Sequence, residues 1–408
     1  MKLSRILSLA LAGTLSLSLL AGCGGGNGGD QPANNGNNTP STSAPGGEGG
    51  GNAPTGAAFK LGGIGPLTGG NAIYGNAAMN GAKIAVDEIN ALGGDIQFDF
   101  NPQDDVSDAE TSVNAYNSLK DWGMQALVGT VTTGPCISVS AEAFNDRIFA
   151  LTPSASSTDV INGKDNMFQV CFTDPNQGTG AADYISENLP GSKIAVIYQN
   201  DNAYSQGIRD TFVAEAAAKN LEIVSETTFT EDTQNDFSVQ IADAQSKGAD
   251  VVFLPIYYTP ASVILTQAKA INYAPTFFGV DGMDGILTVK GFDTSLAEGV
   301  MLLTPFSADA EDERTQNFVS TYNSRHGETP NQFAADGYDA VYVIYEALKA
   351  ANCTPDMSPQ DICEALVGVM PTISVDGLTG AGMTWDASGA VSKAPMAVVI
   401  KDGVYVTP

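Results

Sequence analysis

The feature that most constrains the fold of this chain is a pair of consecutive runs in which short apolar strands alternate with amphipathic helices. The first run extends from Phe59 to Leu151, and the second restarts after Asp174 and extends from Gly178 to Gly279. Strands such as Val251 to Leu254 are apolar at every position, which indicates burial on both faces, as in parallel sheets covered by helices. The pattern therefore predicts an α/β fold with two doubly wound lobes, each built on a parallel sheet.

Hydrophobic periodicity, together with turn and cap residues, predicts the bounds of the individual elements. Ser107, with Glu110 three residues on, predicts a capping box at the start of the second helix. Asp402-Gly403 predicts a hairpin turn between the last two strands. The predicted strands are 59–64, 95–101, 125–129, 148–151, 193–198, 222–229, 251–254, 276–279, 299–304, 396–400 and 404–406. The predicted helices are 78–89, 107–120, one that starts near Gly134 and Pro135 and precedes the strand 148–151, 178–188, 206–219, 237–246, 261–270, 312–325 and 334–350.

Hydroxyl side chains follow two neighbouring strands of the first run. Thr130, Thr132 and Thr133 come after one strand, and Ser154 and Ser156 lie in the loop after the next. Ligands of open α/β sheets bind beyond the carboxyl ends of the strands, where helix N-termini present free N–H groups to anions. The two loops therefore predict a cradle for a carboxylate, unless their hydroxyls only cap helices and form turns.

The N-terminal residues indicate processing rather than folding. Lys2 and Arg5 precede an apolar run from Ile6 to Leu20, which ends in the sequence Leu20-Ala21-Gly22-Cys23. This order is typical of an export signal, and its last four residues resemble a bacterial lipobox, in which the cysteine is acylated. A retained transmembrane helix is the alternative, but the run is short for the ~20 residues that a span needs. Residues 1–22 are therefore predicted to be a lipoprotein signal peptide, with Cys23 as the lipidation site.

Residues 24–56 contain no Leu, Ile, Val, Met or aromatic residue. Such a segment cannot bury enough apolar surface to offset the entropy of ordering it. Residues 23–57 are therefore predicted to be a lipidated cysteine followed by a disordered tether with a mean reach on the order of 30 Å. The chain is expected to be exported and anchored by lipid on the extracytoplasmic face of the cell membrane.

The charge of the chain excludes several classes of partner. A formal net charge of −28 argues against nucleic acid, because nucleic acid binding needs a basic surface. It also argues against adsorption to anionic lipid except through the acyl anchor. Acidity does not restrict the choice of a small ligand.

Four cysteines are left after Cys23 is assigned to lipid, and in an exported chain an even number suggests disulfides. Cys353 and Cys363 enclose a turn-rich segment that a bridge could hold, so this pair is favoured. Cys136 and Cys171, the two cysteines that are left, would then form the second disulfide. Free buried thiols, which behave as small apolar groups, are the alternative.

Several motifs follow one another in a specific order along the chain. They are the lipobox, the tether, Ile64-Gly65-Pro66-Leu67-Thr68-Gly69 on the first strand, Tyr74-Gly75 before the first helix, and Asp201-Asn202-Ala203-Tyr204-Ser205-Gln206-Gly207 in the second run. Together they resemble the branched-chain amino acid type of substrate-binding protein that serves ABC importers. The resemblance implies a type I periplasmic binding fold, in which two lobes joined by three hinge crossovers close on a ligand in the cleft.

This resemblance also implies lobe boundaries. Lobe 1 would contain residues 58–173 and 305–382, and lobe 2 residues 174–304 and 383–408. The crossovers would fall near 172–174 and 303–305 and within 378–385.

The resemblance assigns site roles to five residues of lobe 1. The hydroxyl of Thr133 and the main chain of Val131 would meet the carboxylate of an amino acid. Ser154 and Ser156 would hold both its carboxylate and its ammonium group, and Tyr74 would cover its side chain.

In lobe 2 the resemblance implies an aromatic residue in each of two loops and an acid. The aromatic residues match Tyr204 and either Tyr257 or Tyr258, and the acid that receives the ammonium group matches Asp281. The family often has Glu at that position, so the shorter Asp would need the backbone or a water to complete the contact. A zwitterion removed from water needs partners for both charges, which this arrangement supplies.

An enzyme is the main alternative class, and the sequence argues against it. His326 is the only histidine, Gly-x-Ser-x-Gly does not occur, and Gly63-Ile64-Gly65 lacks the third glycine of a dinucleotide fingerprint. No cofactor or metal is expected. The expected partners are a small ligand and the permease and ATPase subunits of an ABC importer, with the chain as a monomer. A ligand such as an amide, urea or an aromatic acid, or a chemosensory role, is the alternative within the same fold.

Overall fold

The computed structural model describes residue 54 and residues 56–408. The predicted signal peptide, Cys23 and the tether up to residue 53 lie outside the described residues. No helix within the described part of the chain is both long enough and apolar enough to cross a membrane.

The first half of the molecule is built on a five-stranded parallel sheet with the strand order β2-β1-β3-β4-β5. Three later helices return to pack against this half. Its elements are β1 (Phe59–Gly65), α1 (Ala72–Ala91), β2 (Phe98–Asp104), α2 (Ala109–Trp122), β3 (Ala126–Gly129), α3 (Thr133–Asp146), β4 (Phe149–Thr152) and β5 (Met167–Gln169), and the returning helices are α8 (Glu313–His326), α9 (Gln332–Ala350) and α10 (Pro359–Val369).

The second half is built on a seven-stranded sheet with the order β12-β11-β10-β9-β8-β6-β7. Its elements are α4 (Asp174–Asn188), β6 (Lys193–Gln199), α5 (Ala203–Ala218), β7 (Glu222–Phe229), α6 (Ser238–Ser246), β8 (Val251–Leu254), α7 (Tyr258–Ala270), β9 (Thr276–Gly279), β10 (Met301–Thr304), β11 (Met396–Lys401) and β12 (Val404–Val406). Strands β6 to β10 pair in parallel. The predicted hairpin is confirmed, because β11 and β12 pair antiparallel across Asp402 and Gly403, both of which have positive φ.

The start of α2 differs from the prediction by one residue. Asp108 rather than Ser107 is the N-cap, and its carboxylate accepts a hydrogen bond from the backbone N–H of Thr111 at 2.8 Å. Ser107 has a φ of 60°, whereas an N-cap residue needs extended backbone. The predicted capping box of Ser107 with Glu110 is therefore wrong.

The third crossover also lies later than predicted. Residues 383–391 pair with neighbouring loop segments, and the indole N–H of Trp385 donates to the carbonyl of Gln169 in β5 at 2.7 Å. The N–H of Gln169 in turn donates to the carbonyl of Gly389 at 3.0 Å. This segment therefore contacts the sheet of the first half, and the chain rejoins the second sheet only at Met396 instead of at residue 383.

Two glycines allow α1 and α9 to touch along their backbones. A Cβ atom at Gly81 would lie 1.8 Å from the carbonyl oxygen of Ala334, and one at Gly337 would lie 2.0 Å from that of Ala78. Neither position can accept a larger residue unless the helices separate. The glycine seam, as we call Gly81 and Gly337, thus fixes the spacing of the two helices.

The predicted disulfides are not present. Cys136, Cys171, Cys353 and Cys363 are all free and buried. Each thiol packs as a small apolar group, and burial raises the pKa of the Cys136 thiol to about 11. The segment between Cys353 and Cys363 is held instead by the start of α10, where the Ser358 hydroxyl accepts from the N–H of Asp361 at 3.1 Å.

Candidate functional site

A small pocket lies between the two sheets at the carboxyl ends of their strands. Its first wall comes from the start of α1, the loops after β3 and β4, and the start of α9, and its second wall comes from the loops after β6, β8 and β9. This is the position at which open α/β sheets bind ligands. The lining residues are Tyr74, Val131, Thr132, Thr133, Ser154, Tyr204, Tyr257, Asp281, Gly282 and Phe333.

Seven of the eight residues that the sequence assigned to a site line this pocket, and Ser156 does not. The hydroxyl of Ser156 faces Gln177, whose amide donates to it at 3.4 Å, and its carbonyl accepts from the N–H of Asp174 at 2.8 Å. Ser156 thus ties the loop after β4 to the start of α4 at the first crossover. Sequence spacing could not distinguish it from Ser154, because both lie in the same loop.

Thr133 presents a polar group that has no partner. Its hydroxyl is buried and makes no hydrogen bond to any described residue. Thr133 is the first residue of α3, and the N-cap residue, Thr132, gives no side-chain hydrogen bond to that helix. The N–H of Thr133 faces the hydroxyl of Tyr257, and Pro135 has no N–H, so the helix start offers the N–H of Gly134 beside the free Thr133 hydroxyl. A helix N-terminus of this kind is an environment suited to an anion. The Ser154 hydroxyl, by contrast, donates to the carbonyl of Val131 at 2.7 Å.

Asp281 is the acidic group of the second wall. One of its carboxylate oxygens accepts from the hydroxyl of Tyr204 at 2.6 Å, and that hydroxyl accepts from the N–H of Gly282 at 2.9 Å. The N–H of Asp281 donates to the side-chain oxygen of Gln177 at 3.1 Å. Burial raises the pKa of Asp281 to about 7, although the hydrogen bond from Tyr204 works in the opposite direction. A cation that reached this carboxylate would stabilise its charged form.

Four aromatic rings enclose the space between these polar groups. The Tyr74 ring lies 5.5 Å from Tyr257 and 4.5 Å from Phe333, and Tyr204 stacks on Tyr257 at 4.8 Å. Tyr257, not Tyr258, faces the pocket. The hydroxyl of Tyr258 instead donates to the carbonyl of Gly70 at 2.7 Å and so joins the two halves.

Two residues near the pocket were missed by sequence reasoning. Phe333 was placed before the predicted helix, whereas α9 begins at Gln332 behind the N-cap Asn331. Asp174 begins α4, and its buried carboxylate lies beside the hydroxyl of Ser156 without a hydrogen bond of normal geometry to a described residue. Burial raises the pKa of Asp174 well above its usual value, and the charge of Asp281 adds to that effect. Thr329-Pro330-Asn331 precedes Phe333, and Asn331 as a helix N-cap could have indicated that Phe333 lies in the first turn of α9. Nothing in the local sequence indicated the burial of Asp174.

The walls of the pocket are in contact with each other. The hydroxyl of Tyr74 donates to the carbonyl of Gly282 and accepts from the N–H of Tyr258 at 3.2 Å, so that one side chain joins the two halves. The cavity volume is about 10 Å³, which is close to the space of a single water. Entry of a larger molecule therefore requires the halves to move apart.

Known proteins share both the sequence pattern and this fold. The sequence profile described as periplasmic binding protein matches residues 58–403. The Leu/Ile/Val-binding protein BraC3 of Rhizobium johnstonii is 28% identical over 304 residues, which cover 74% of this chain and 81% of that protein.

Two solved structures bear the same fold with different bound molecules. The branched-chain amino acid transporter substrate binding protein LivJ of Streptococcus pneumoniae, in complex with isoleucine, has a TM-score of 0.76 and 27% identity, covering 86% of this chain and 100% of that one. A solute binding protein of an ABC transporter from R. palustris, in complex with benzoate, has a TM-score of 0.75 and 21% identity, covering 86% and 95%.

Proposed function

We propose that this chain, which belongs to the periplasmic binding protein family, binds an amino acid between its two halves and delivers it to the permease of an ABC importer. The observation that carries the proposal is the pairing of opposite polar groups across one pocket. The unpartnered hydroxyl of Thr133 and the start of α3 lie on one wall, and the carboxylate of Asp281 lies on the other.

These groups match the two charges of an amino acid. The carboxylate would accept hydrogen bonds from the Thr133 hydroxyl and from an N–H at the start of α3, and the ammonium group would lie against Asp281. A buried charge without a partner is very costly, so a ligand with only one of the two charges would leave one wall unsatisfied. The aromatic residues Tyr74, Tyr257 and Phe333 would contact the side chain of the ligand, for which we favour a branched or other aliphatic group.

An aromatic acid is the second candidate. The four rings of the pocket and the benzoate-bound relative favour it. It would use the Thr133 wall but would give Asp281 no cation to contact. An amide, urea, or a role in presenting a ligand to a chemosensory receptor are further uses of the same fold, and no reaction is proposed for any of them.

The test is a thermal-shift and calorimetric screen of the purified protein against leucine, isoleucine, valine, benzoate and leucinamide. A ligand at 100 times its dissociation constant should add about 2.7 kcal/mol to the free energy of unfolding. We expect leucine or a similar amino acid to stabilise the protein. Leucinamide, which lacks the carboxylate, should not stabilise it. Stabilisation by benzoate alone would replace the amino acid with an aromatic acid.

We also propose that the chain is attached to the membrane through an acylated Cys23. The support is the lipobox-like sequence Leu20-Ala21-Gly22-Cys23 and the apolar-free residues after it. Cys23→Ser should release the protein into the soluble fraction without changing its ligand affinity. A Cys23→Ser protein that stays wholly in the membrane fraction would mean that residues 6–20 form a retained anchor.

A further inference from the structure

A second and much larger pocket lies between the two halves, beside the candidate site. It has a volume of about 810 Å³. Its walls continue those of the site along the chain, because Ile73 adjoins Tyr74 and Asp284 follows Asp281 and Gly282. One half supplies the start of α1 and residues 306–331, and the other supplies residues 284–288, β10 and residues 403–405.

Most of this second pocket is apolar. Side chains from both halves face it, so an occupant would contact both at once and would replace water along an apolar surface. The apolar lining residues include Ile73, Leu287, Leu302, Phe306, Val319 and Val404.

Asp284 is the buried polar group of the second pocket. Its side chain is 3% exposed, and one carboxylate oxygen accepts from the N–H of Gln332 at 3.0 Å. The other oxygen, Oδ1, has no hydrogen bond of normal geometry to any described residue. The hydroxyl of Tyr405, which accepts from the N–H of Gly285 at 3.3 Å, lies beside the Asp284 carboxylate and lowers its pKa against the larger, raising effect of burial. Because a buried carboxylate with incomplete hydrogen bonding is costly, a donor on a bound molecule that faced Oδ1 would reduce that cost.

The charge of the lining limits what this molecule can be. The second pocket contains three acids, of which Asp309 and Glu328 are exposed at its rim, and no Lys, Arg or His is among its lining residues. The pocket therefore disfavours anions and favours a cation that can donate a hydrogen bond. Gly285, which follows Asp284, has a φ of 100°, and a Cβ atom there would lie only 2.8 Å from Cγ2 of Ile73 on the opposite wall, so the position requires glycine.

We propose that the second pocket binds an apolar amine, with its protonated nitrogen donating to Oδ1 of Asp284 and its hydrocarbon part against the apolar walls. Residues of both halves would contact this ligand, so its binding would favour the arrangement in which the halves are closed. The amino acid would favour the same closed arrangement, and the two binding equilibria are therefore coupled. By linkage, each ligand changes the affinity of the other by the same factor.

Isothermal titration of the full chain with n-hexylamine tests the proposal, with n-hexanol and hexanoate as comparison probes of similar length. We expect n-hexylamine to bind more tightly than either. Asp284→Asn keeps an acceptor for Gln332 but removes the charge, and should weaken n-hexylamine about ten- to a hundredfold, the range of a hydrogen bond to a charged group. Asp99→Asn, which removes an exposed acid elsewhere, is the matched control and should leave binding unchanged.

Two further variants separate this pocket from the candidate site. Val319→Trp should block n-hexylamine by filling the second pocket, and Asp281→Ala should leave n-hexylamine binding intact. The proposal is overturned if n-hexylamine does not bind, if n-hexanol or hexanoate binds as well, or if Asp284→Asn binds like the parent. Loss of n-hexylamine binding in Asp281→Ala would also overturn it, because the amine would then occupy the amino acid site. Circular dichroism of each variant confirms that it is folded.

Discussion

Two carboxylates three residues apart, Asp281 and Asp284, lie in two different pockets and have opposite surroundings. Both are 3% exposed. Asp281 lies in a cavity of about 10 Å³ and accepts a hydrogen bond from Tyr204. Asp284 lies beside a cavity of about 810 Å³, and its Oδ1 makes no hydrogen bond of normal geometry to a described residue, although the Tyr405 hydroxyl is close by. Residues 281–283 form a single 3-10 turn that separates them.

The difference shows that burial alone does not decide what a carboxylate does. While the halves are in contact, the Tyr204 hydroxyl donates a hydrogen bond to Asp281, so a ligand has to compete with that bond and separate the walls. In the same arrangement Asp284 borders a cavity that is already open. We therefore expect substitutions at the two positions to affect different ligands, and the predictions below test this difference.

The largest effect is expected from Asp281→Ala on amino acid affinity. Truncating one member of a buried charge pair costs about 2 to 5 kcal/mol, which is at least about a thirtyfold loss. Titration calorimetry with the best ligand of the screen measures it, with Asp99→Asn as control. An Asp281→Ala protein that binds as tightly as the parent would mean that the ligand has no ammonium group.

Thr133→Ala should cost less, about 1.5 to 3 kcal/mol of binding free energy, because it removes one hydrogen bond to a charged group and leaves the N–H groups of α3. Thr133→Ser keeps the hydroxyl and should bind close to the parent. Equal affinities of the Ala and Ser variants would show that the hydroxyl does not contact the ligand.

The pH dependence of stability should identify Asp281 in the unliganded protein. Burial raises its pKa from the ordinary value of 3.8 to about 7, so the native state holds the proton more tightly than the unfolded state. Stability from this group is therefore present at low pH and is lost as pH rises, by up to about 1.4 kcal/mol per pH unit between these pKa values.

Urea unfolding of the parent and of Asp281→Asn across this pH range measures the difference, since Asp281→Asn cannot titrate. Asp105, whose pKa burial raises to about 6 without a contribution from Asp281, contributes equally to both proteins. Parallel curves for the two proteins would exclude a titrating Asp281.

Tyr74→Phe should shift the unliganded protein toward a more open arrangement by about 0.5 to 1.5 kcal/mol for each hydrogen bond lost. The Tyr74 hydroxyl contacts both Gly282 and Tyr258 across the halves. Small-angle scattering should give a larger radius of gyration than for the parent, and saturating ligand should reduce it in both. Tyr345→Phe, a half-buried position on α9 that does not line the pocket, is the control and should match the parent.

The smallest effect is expected from Asp284→Asn on amino acid affinity, about 1 kcal/mol or less, which is about a fivefold change. Asp284 contacts the backbone of Gln332, whose side chain donates to the carbonyl of Asp281 at 3.1 Å. Through this shared contact, Asp284→Asn can weaken amino acid binding slightly, but it does not remove the charge pair between Asp281 and the ligand. A loss as large as that of Asp281→Ala would mean that the two pockets form one site.

Much of the fold followed from local sequence signals. Continuous apolar strands such as β8, separated by helical periodicity, indicated buried parallel sheets, and Asp402-Gly403 indicated the final hairpin. The short strand β5 was missed because three residues carry no periodicity. Helix α10 was missed although Ser358 and Pro359 mark its start, because two flanking cysteines suggested a disulfide-held turn.

The hydroxyl residues of the site were easier to predict than Phe333 and Asp174. Thr133 and Ser154 follow adjacent parallel strands, so topology alone brings them to one edge of the sheet. Phe333 and Asp174 reach the pocket region from α9 and from the first crossover, and their positions depend on how the halves pack. No local pattern encodes that packing, and the resemblance supplied only the residues that match its motifs.

The glycine seam has a consequence for hydrogen exchange. Tyr74 lies about two turns before Gly81 on α1, and Phe333 lies one turn before Gly337 on α9. Because backbone contacts hold the helices together, neither can unravel without exposing the other, and their amide protons should exchange through one shared opening. The two rings would then belong to a single cooperative unit that persists when the cleft opens, while the protons of the Asp281–Met283 turn exchange independently.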